Sequence, residues 1–261
     1  MSNEFIRVED RPEARRIVID RAAKRNALTS DMMQALVDAI AGTPAAQRML
    51  ILSAARDQVF CSGADIGELR SGEAAMERQE HGLNELAAAL ENAPVPTVCV
   101  VHGKVLGGAM LLPGLSDIVI ARADTVFQLS EIEFGAYPGP VHAGLAPRLP
   151  AQTLYQLAFS GRALDAQTAA TLGFVTEVLP AEGFGEAAQA RSAWYARRAG
   201  GVRLGRLVRG LPLTGTLHER VAAVAAQSKA QIRSEEVRQL LAERFPAKPA
   251  TAAGGGVRTA P

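Results

Sequence analysis

The chain has 261 residues, 28 Lys+Arg against 27 Asp+Glu, a formal net charge of +1, and 48% apolar against 21% charged residues. So balanced a charge argues against nucleic acid as a partner, and the composition is that of a soluble globular protein able to bury a large core. With two cysteines, Cys61 and Cys99, a charged start (MSNEFIRVED) and no apolar run of roughly 18 residues, the sequence reads as neither a disulfide scaffold, nor secreted, nor membrane-spanning. The expected location is the cytoplasm.

In chain order, residues 16–20 (RIVID), 49–53 (MLILS), 97–102 (TVCVVH) and 117–121 (DIVIA) read as strands. Their near-continuous apolarity suits strands covered on both faces. Between the first two, residues 31–41 carry Met32, Leu36 and Ile40 at helical spacing behind Ser30, a suitable N-cap. Residues 73–91, rich in Ala, Leu and Glu, predict a second helix that ends before Pro94 and Pro96. Strand and helix in alternation predict an α/β fold. Further helices are expected over 152–159, 165–172, 184–198 and 217–244, with no internal repeat visible. The division expected is an α/β core over 1–190, a helical region over 191–245 and a disordered tail over 246–261, where Val257 is the one large apolar residue.

Three segments carry residues suited to chemistry. The first is 60–66 (FCSGADI), whose small residues leave main-chain amides open to a ligand, although a tight strand-to-helix turn would look the same. The second is 101–109 (VHGKVLGGA), which leaves a strand and opens a helix, where outward N–H groups can hold a developing negative oxygen. It has neither the phosphate-loop nor the dinucleotide spacing of glycines. The third, 127–139, holds Glu131 and Glu133 behind an apolar pair; a carboxyl kept among apolar groups can shuttle a proton near neutral pH, whereas a solvated loop acid would not. The four His are scattered, no Cys/His pair has ligand spacing, and no metal is expected. No G-x-S-x-G elbow is present, so Ser62 is not read as a hydrolase nucleophile.

Taken together and in this order, these segments resemble the crotonase superfamily, the enoyl-CoA hydratases and isomerases. The resemblance runs from about residue 16 to 244 and includes RAAKRNAL at 21–28, HGKVLGGA at 102–109, Ser130-Glu131, and FSGRALDAQTAATLGFV at 159–175. It implies a spiral of ββα units with a helical C-terminal trimerisation region, a homotrimer or hexamer, an acyl-CoA substrate and no further cofactor. It also implies that the backbone N–H groups of Ala64 and Gly108 form an oxyanion hole for a thioester enolate. Lys24, Arg25, Ala27 and Leu28, with Ser62, Asp65 and Ile66, would meet the CoA; the trio Arg203, Arg206 and Arg209, spaced by three along one helical side, reads as a solvated face in preference to a contact with CoA phosphates.

One departure bears on the reaction. Hydratases of this family carry two glutamates, and the first position here is Leu111, while the second is Glu131. Water addition needs a water held between two carboxylates, which Leu111 cannot help to hold. A single base can still carry a proton from C2 to C4 of an enoyl thioester. The expectation is double-bond isomerisation with Glu131 as acid and base. The alternatives are a hydratase using Glu133, a decarboxylase drawing a proton from Tyr137 or His142 beside the acyl pocket, or a silent acyl-CoA binder. Pro113, two residues past Leu111, should shorten or kink its helix.

Overall fold

The computed structural model describes residues 3–55, 58–211 and 214–244. Contacts gather the chain into two units, Met1–Arg203 and Leu204–Pro261. The first repeats one motif. Strands β1 (Ile6–Asp10) and β2 (Ala14–Ile19) lead into α1 (Ser30–Ala41); β3 (Met49–Ala54) and β4 (Val59–Cys61) into α2 (Ile66–Leu69) and α3 (Glu73–Glu91). Strands β5 (Thr97–Val101) and β6 (Lys104–Leu106) lead into α4 (Leu111–Leu115), and β7 (Ile118–Arg122) and β8 (Val126–Gln128) into α5 (Gly139–Leu145). The unit continues through α6 (Ala151–Ser160), β9 (Leu164–Asp165), α7 (Ala166–Thr171), β10 (Glu177–Leu179) and α8 (Phe184–Ala196). Helix α9 (Ala199–Arg209) crosses the boundary, and the second unit holds α10 (Leu217–Ile232) and α11 (Glu235–Arg244).

Each ββα repeat after the first gives its leading strand to one sheet and its second strand to another. The larger sheet has the order β1-β2-β3-β5-β7-β10, parallel except for β1; the smaller is β4-β6-β8-β9, parallel except for β9. The structural repeat has no counterpart in repeated sequence. The large sheet is apolar on both faces because both are covered. Leu50 and Leu52 of β3, Cys99 and Val101 of β5, and Val119 and Ala121 of β7 enter the main core with Met32, Leu36, Ile40, Leu86 and Leu90 of α1 and α3. Their neighbours in sequence, Met49, Val98, Ile118 and Ile120, point the other way and pack with Ala188 and Ala196 of α8. Each fully buried Leu, Ile or Val contributes about 1.5–3 kcal/mol.

Three local expectations are corrected. The N-cap of α1 is Thr29, whose Oγ1 accepts from Met32 N–H at 3.2 Å, while Ser30 is the first helical residue and hands its N–H and Oγ–H to Glu68. The helix expected over 217–244 is two, parted after Ile232. The three-residue strands β4, β6 and β8 were not foreseen, while α9 falls within the helical region expected over 191–245. Pro113 does shorten its helix: α4 has five residues and ends at Leu115. The expected core boundary at 190 falls inside α8, whereas the contacts divide the chain at Arg203. The tail 246–261 lies outside the described residues. No helix among the described residues is long and apolar enough to cross a membrane.

Candidate active site

Three parallel neighbours in the small sheet, β4, β6 and β8, end side by side. Ala64 lies three residues beyond β4, Gly108 two beyond β6, and Glu131 three beyond β8. Adjacent strands are ~4.8 Å apart, so the outer two stand roughly 10 Å apart with Gly108 between them. The ends of parallel strands are where such folds place ligands, because the chain leaves the sheet there with free main-chain groups.

Ala64 is set by Leu28. The two form an isolated parallel bridge in which Leu28 N–H donates to Gly63 O at 2.8 Å and Leu28 O accepts from Asp65 N–H at 2.9 Å. In a parallel pairing the bonded groups belong to the residues on either side of the bridged one, so the N–H of Ala64 faces away from Leu28. Gly108 is the second residue of the 3-10 helix Gly107–Met110, where N–H groups have no partner within the helix. The two turns touch: a Cβ on Gly63 would stand 3.3 Å from Gly108 N and 2.9 Å from Leu106 O. Gly63 also has φ +83°, and glycine meets both demands.

Glu131 opens the 3-10 helix Glu131–Phe134. Its Oε1 would be 2.7 Å from a Cβ on Gly107, so its carboxyl lies against the main chain that leads into Gly108. Oε2 is buried and has no hydrogen-bond partner among the described residues. Burial pushes this carboxyl above its ordinary value, outweighing a backbone hydrogen bond that acts the other way. Glu133, two residues on, is exposed and accepts from Gln128 Nε2 at 3.3 Å. Leu111 is 1% exposed, with its Cδ2 where a Cβ on Gly144 would need to be. Tyr137 OH is 2.8 Å from His142 Nδ1 in the last turn of α5, and Tyr137 is exposed.

The segment expected to meet CoA is a strained turn. Lys24 and Arg25 are exposed at the end of the 3-10 helix Ala22–Lys24, and Arg25 and Asn26 both have φ +54°. Asn26, not foreseen as important, holds this turn from the buried side. Its Oδ1 accepts from Arg21 N–H at 2.8 Å, and its Nδ2 donates to Val59 O at 3.3 Å and Phe60 O at 3.0 Å. Asn tolerates the left-handed region better than most residues, which is the signal that was available in the sequence. Ser62 N–H donates to Arg25 O at 3.1 Å, and Arg21 donates to the carbonyl of half-buried Ala27 at 3.0 Å. Arg21 also pairs with Asp65, whose other oxygen caps α2 through Glu68 N–H at 3.1 Å. The Asp65 carboxylate is thus committed to the turn. Burial raises its pKa, but the Arg21 hydrogen bond and the cap outweigh this and hold it low. Leu28 is buried, Ile66 is exposed, and Arg203, Arg206 and Arg209 fall on α9.

Two other features involve none of the expected site residues. The thiol of Cys61 is buried, pushed up to about 12 by desolvation, and donates to Asn26 O at 3.0 Å. A cavity of about 460 Å³ lies on the far face of the large sheet, between Arg16, Ser53, Ile51 and Val100 and the α8 residues Ala188 and Ser192; none of the expected site residues lines it. Among the described residues no group of three His, Cys, Asp or Glu is placed to hold a metal ion.

The profile of the family described as enoyl-CoA hydratase/isomerase matches residues 14–199. The chain belongs to that family. It is 30% identical over 187 residues to methylglutaconyl-CoA hydratase of Mus musculus, covering 69% of this chain and 58% of that protein. It is 34% identical over 178 residues to the enoyl-CoA isomerase/hydratase fer4 of Mycosarcoma maydis, covering 63% of this chain and 64% of that one. The chain thus spans about three fifths of the length of the curated relatives it matches. Among solved structures, human enoyl-CoA hydratase domain-containing protein 3 superposes with a TM-score of 0.83 at 21% identity, over 95% of this chain and 100% of that one. AtuE of Pseudomonas aeruginosa does so at 0.79 and 26% identity, over 94% and 98%. The fold is therefore the crotonase-type α/β fold of the enoyl-CoA hydratase/isomerase family.

Proposed function

We propose that this family member binds an acyl-CoA thioester and moves the double bond of its enoyl chain, with Glu131 as the single acid and base. The observation that carries the reading is the Glu131 carboxyl, buried with a free Oε2 against the main chain next to Gly108. The thioester oxygen is held by the N–H groups of Ala64 and Gly108. Glu131 takes the proton from C2 of a 3-enoyl thioester; the C2–H electron pair moves into the C1–C2 bond, and negative charge collects on the oxygen between the two donors. When that charge returns, the double bond shifts from C3–C4 to C2–C3, and C4 takes the proton back from Glu131. Each preorganised donor supplies about 3 kcal/mol of transition-state stabilisation. Nothing in these steps requires a cofactor beyond the CoA thioester.

Hydration is disfavoured by the same geometry. The position that would hold the second carboxylate is the buried, apolar Leu111, and Glu133 is engaged with Gln128 at the surface. Tyr137 with His142 supports a second reading, since their 2.8 Å contact forms a ready proton donor should the substrate be a decarboxylating acyl-CoA. A homotrimer or hexamer is the assembly that goes with the first reading, to be read from the mass in solution. The deciding experiment follows conversion of a 3-enoyl-CoA to the conjugated 2-enoyl form, with crotonyl-CoA and a malonyl-type CoA alongside. Conjugation by the wild type and none by Glu131→Gln is expected; full activity in that variant removes Glu131 from the mechanism.

A further inference from the structure

We infer that Gln79 and Leu83, one turn apart on α3, are positioning residues that fix the spacing of the two main-chain donors; this rests on the thioester reading above. Gln79 is 3% exposed. Its Nε2 donates to Leu28 O at 3.0 Å and to Glu68 Oε2 at 2.5 Å. Leu28 is the residue whose main chain brackets Ala64. Leu83 reaches the other donor, its Cδ1 lying 3.3 Å from where a Cβ on Gly108 would stand. Residues four apart share one face of a helix, so a single rigid element bears on both turns.

A second observation separates this role from ordinary packing. Gln79 Oε1 is buried with no hydrogen-bond partner among the described residues. An amide carbonyl buried unpaired weakens a fold, and a methionine fills nearly the same volume without that cost. Neither acceptor depends on Gln79: Leu28 O also takes the N–H of Asp65, and Glu68 Oε2 also takes the N–H of Ser30. For stability alone an apolar side chain would serve at 79 at least as well. What the amide adds is a fixed tether from α3 to the segment that carries Ala64.

The test compares Gln79→Met, Leu83→Ala and Leu86→Ala, the last being a core residue of the same helix at 1% exposure. Each is measured for melting temperature, for kcat and KM on a 3-enoyl-CoA, and for the red shift in ultraviolet absorption of a bound 2,4-dienoyl-CoA, which reports the pull on the thioester oxygen. Gln79→Met is expected to melt at or above the wild type while kcat falls about tenfold, KM holds and the red shift shrinks. Leu83→Ala should lose kcat and red shift in the same way. Leu86→Ala should melt lower and keep both. Wild-type kcat and red shift in Gln79→Met overturn the positioning role and leave the thioester reading intact. A melting loss in Gln79→Met as large as that of Leu86→Ala also overturns it, because the amide is then structural. A wild type that neither converts nor red-shifts these thioesters overturns the functional reading and this inference together.

Discussion

The carboxyl of Glu131 fills the space that a side chain at Gly107 would need, with Oε1 2.7 Å from the Cβ position. Gly107 also has φ +54°, which costs an L-residue about 1–2 kcal/mol. Gly107→Ala is therefore expected to lower stability by about that amount and turnover by about 100-fold, since the carboxyl that the proposed mechanism uses as its base is displaced. Turnover and a thermal melt check this together; unchanged turnover would mean that the carboxyl does not depend on the glycine.

Glu131 should also leave a mark on stability against pH. Its folded pKa is raised by burial, whereas in the unfolded chain it titrates at the ordinary carboxylate value. Between those two values the folded state binds more protons, so its contribution falls as pH rises and the full cost is present above both. Glu131→Gln avoids that cost. It is expected to melt above the wild type at pH 7 and to converge with it below about pH 4. Its turnover should drop about 1,000-fold, and wild-type turnover should climb with pH through a value above the usual carboxylate range. Coincident melting curves at neutral pH would show that the carboxylate is not buried.

Asn26→Ala removes three hydrogen bonds under the turn that bears Lys24 and Arg25. At roughly 1 kcal/mol each, a loss of about 3 kcal/mol is expected by denaturant titration. If the turn meets CoA as the resemblance implies, KM for the CoA thioester should rise more than kcat falls. A loss well under 1 kcal/mol would mean that the left-handed pair holds itself.

Leu111→Glu puts a second carboxyl at the position that the resemblance assigns to the other glutamate of the hydratases. A charge among apolar groups destabilises the fold by several kcal/mol, so the melting temperature should fall. Water addition to crotonyl-CoA should rise above the wild-type level, and its absence would mean that Leu111 does not face the reacting carbons.

The long strands of the large sheet were legible because a strand covered on both faces writes an unbroken apolar run, as in 49–53 (MLILS). The short strands that carry the site were not. Three residues such as 104–106 (KVL) are too few for a period, and their partners come from elsewhere in the chain. Ser30 looked like a helix cap by its own chemistry, but Glu68, 38 positions away, claims it and leaves the cap to Thr29. Ala64, Gly108 and Glu131 were named through the resemblance of their motifs to the crotonase superfamily, whereas the ties of Arg21 to Asp65 and of Gln79 to Leu28 span 44 and 51 positions and leave no local trace.

The side-by-side ending of β4, β6 and β8 makes each of these groups separately adjustable. Lengthening the loop after one strand by a residue would retune a single donor or acid while its two neighbours stay anchored to their own rungs. A scaffold built this way can exchange one reaction for another by editing a few loop positions, without renegotiating the hydrophobic interior that keeps it folded.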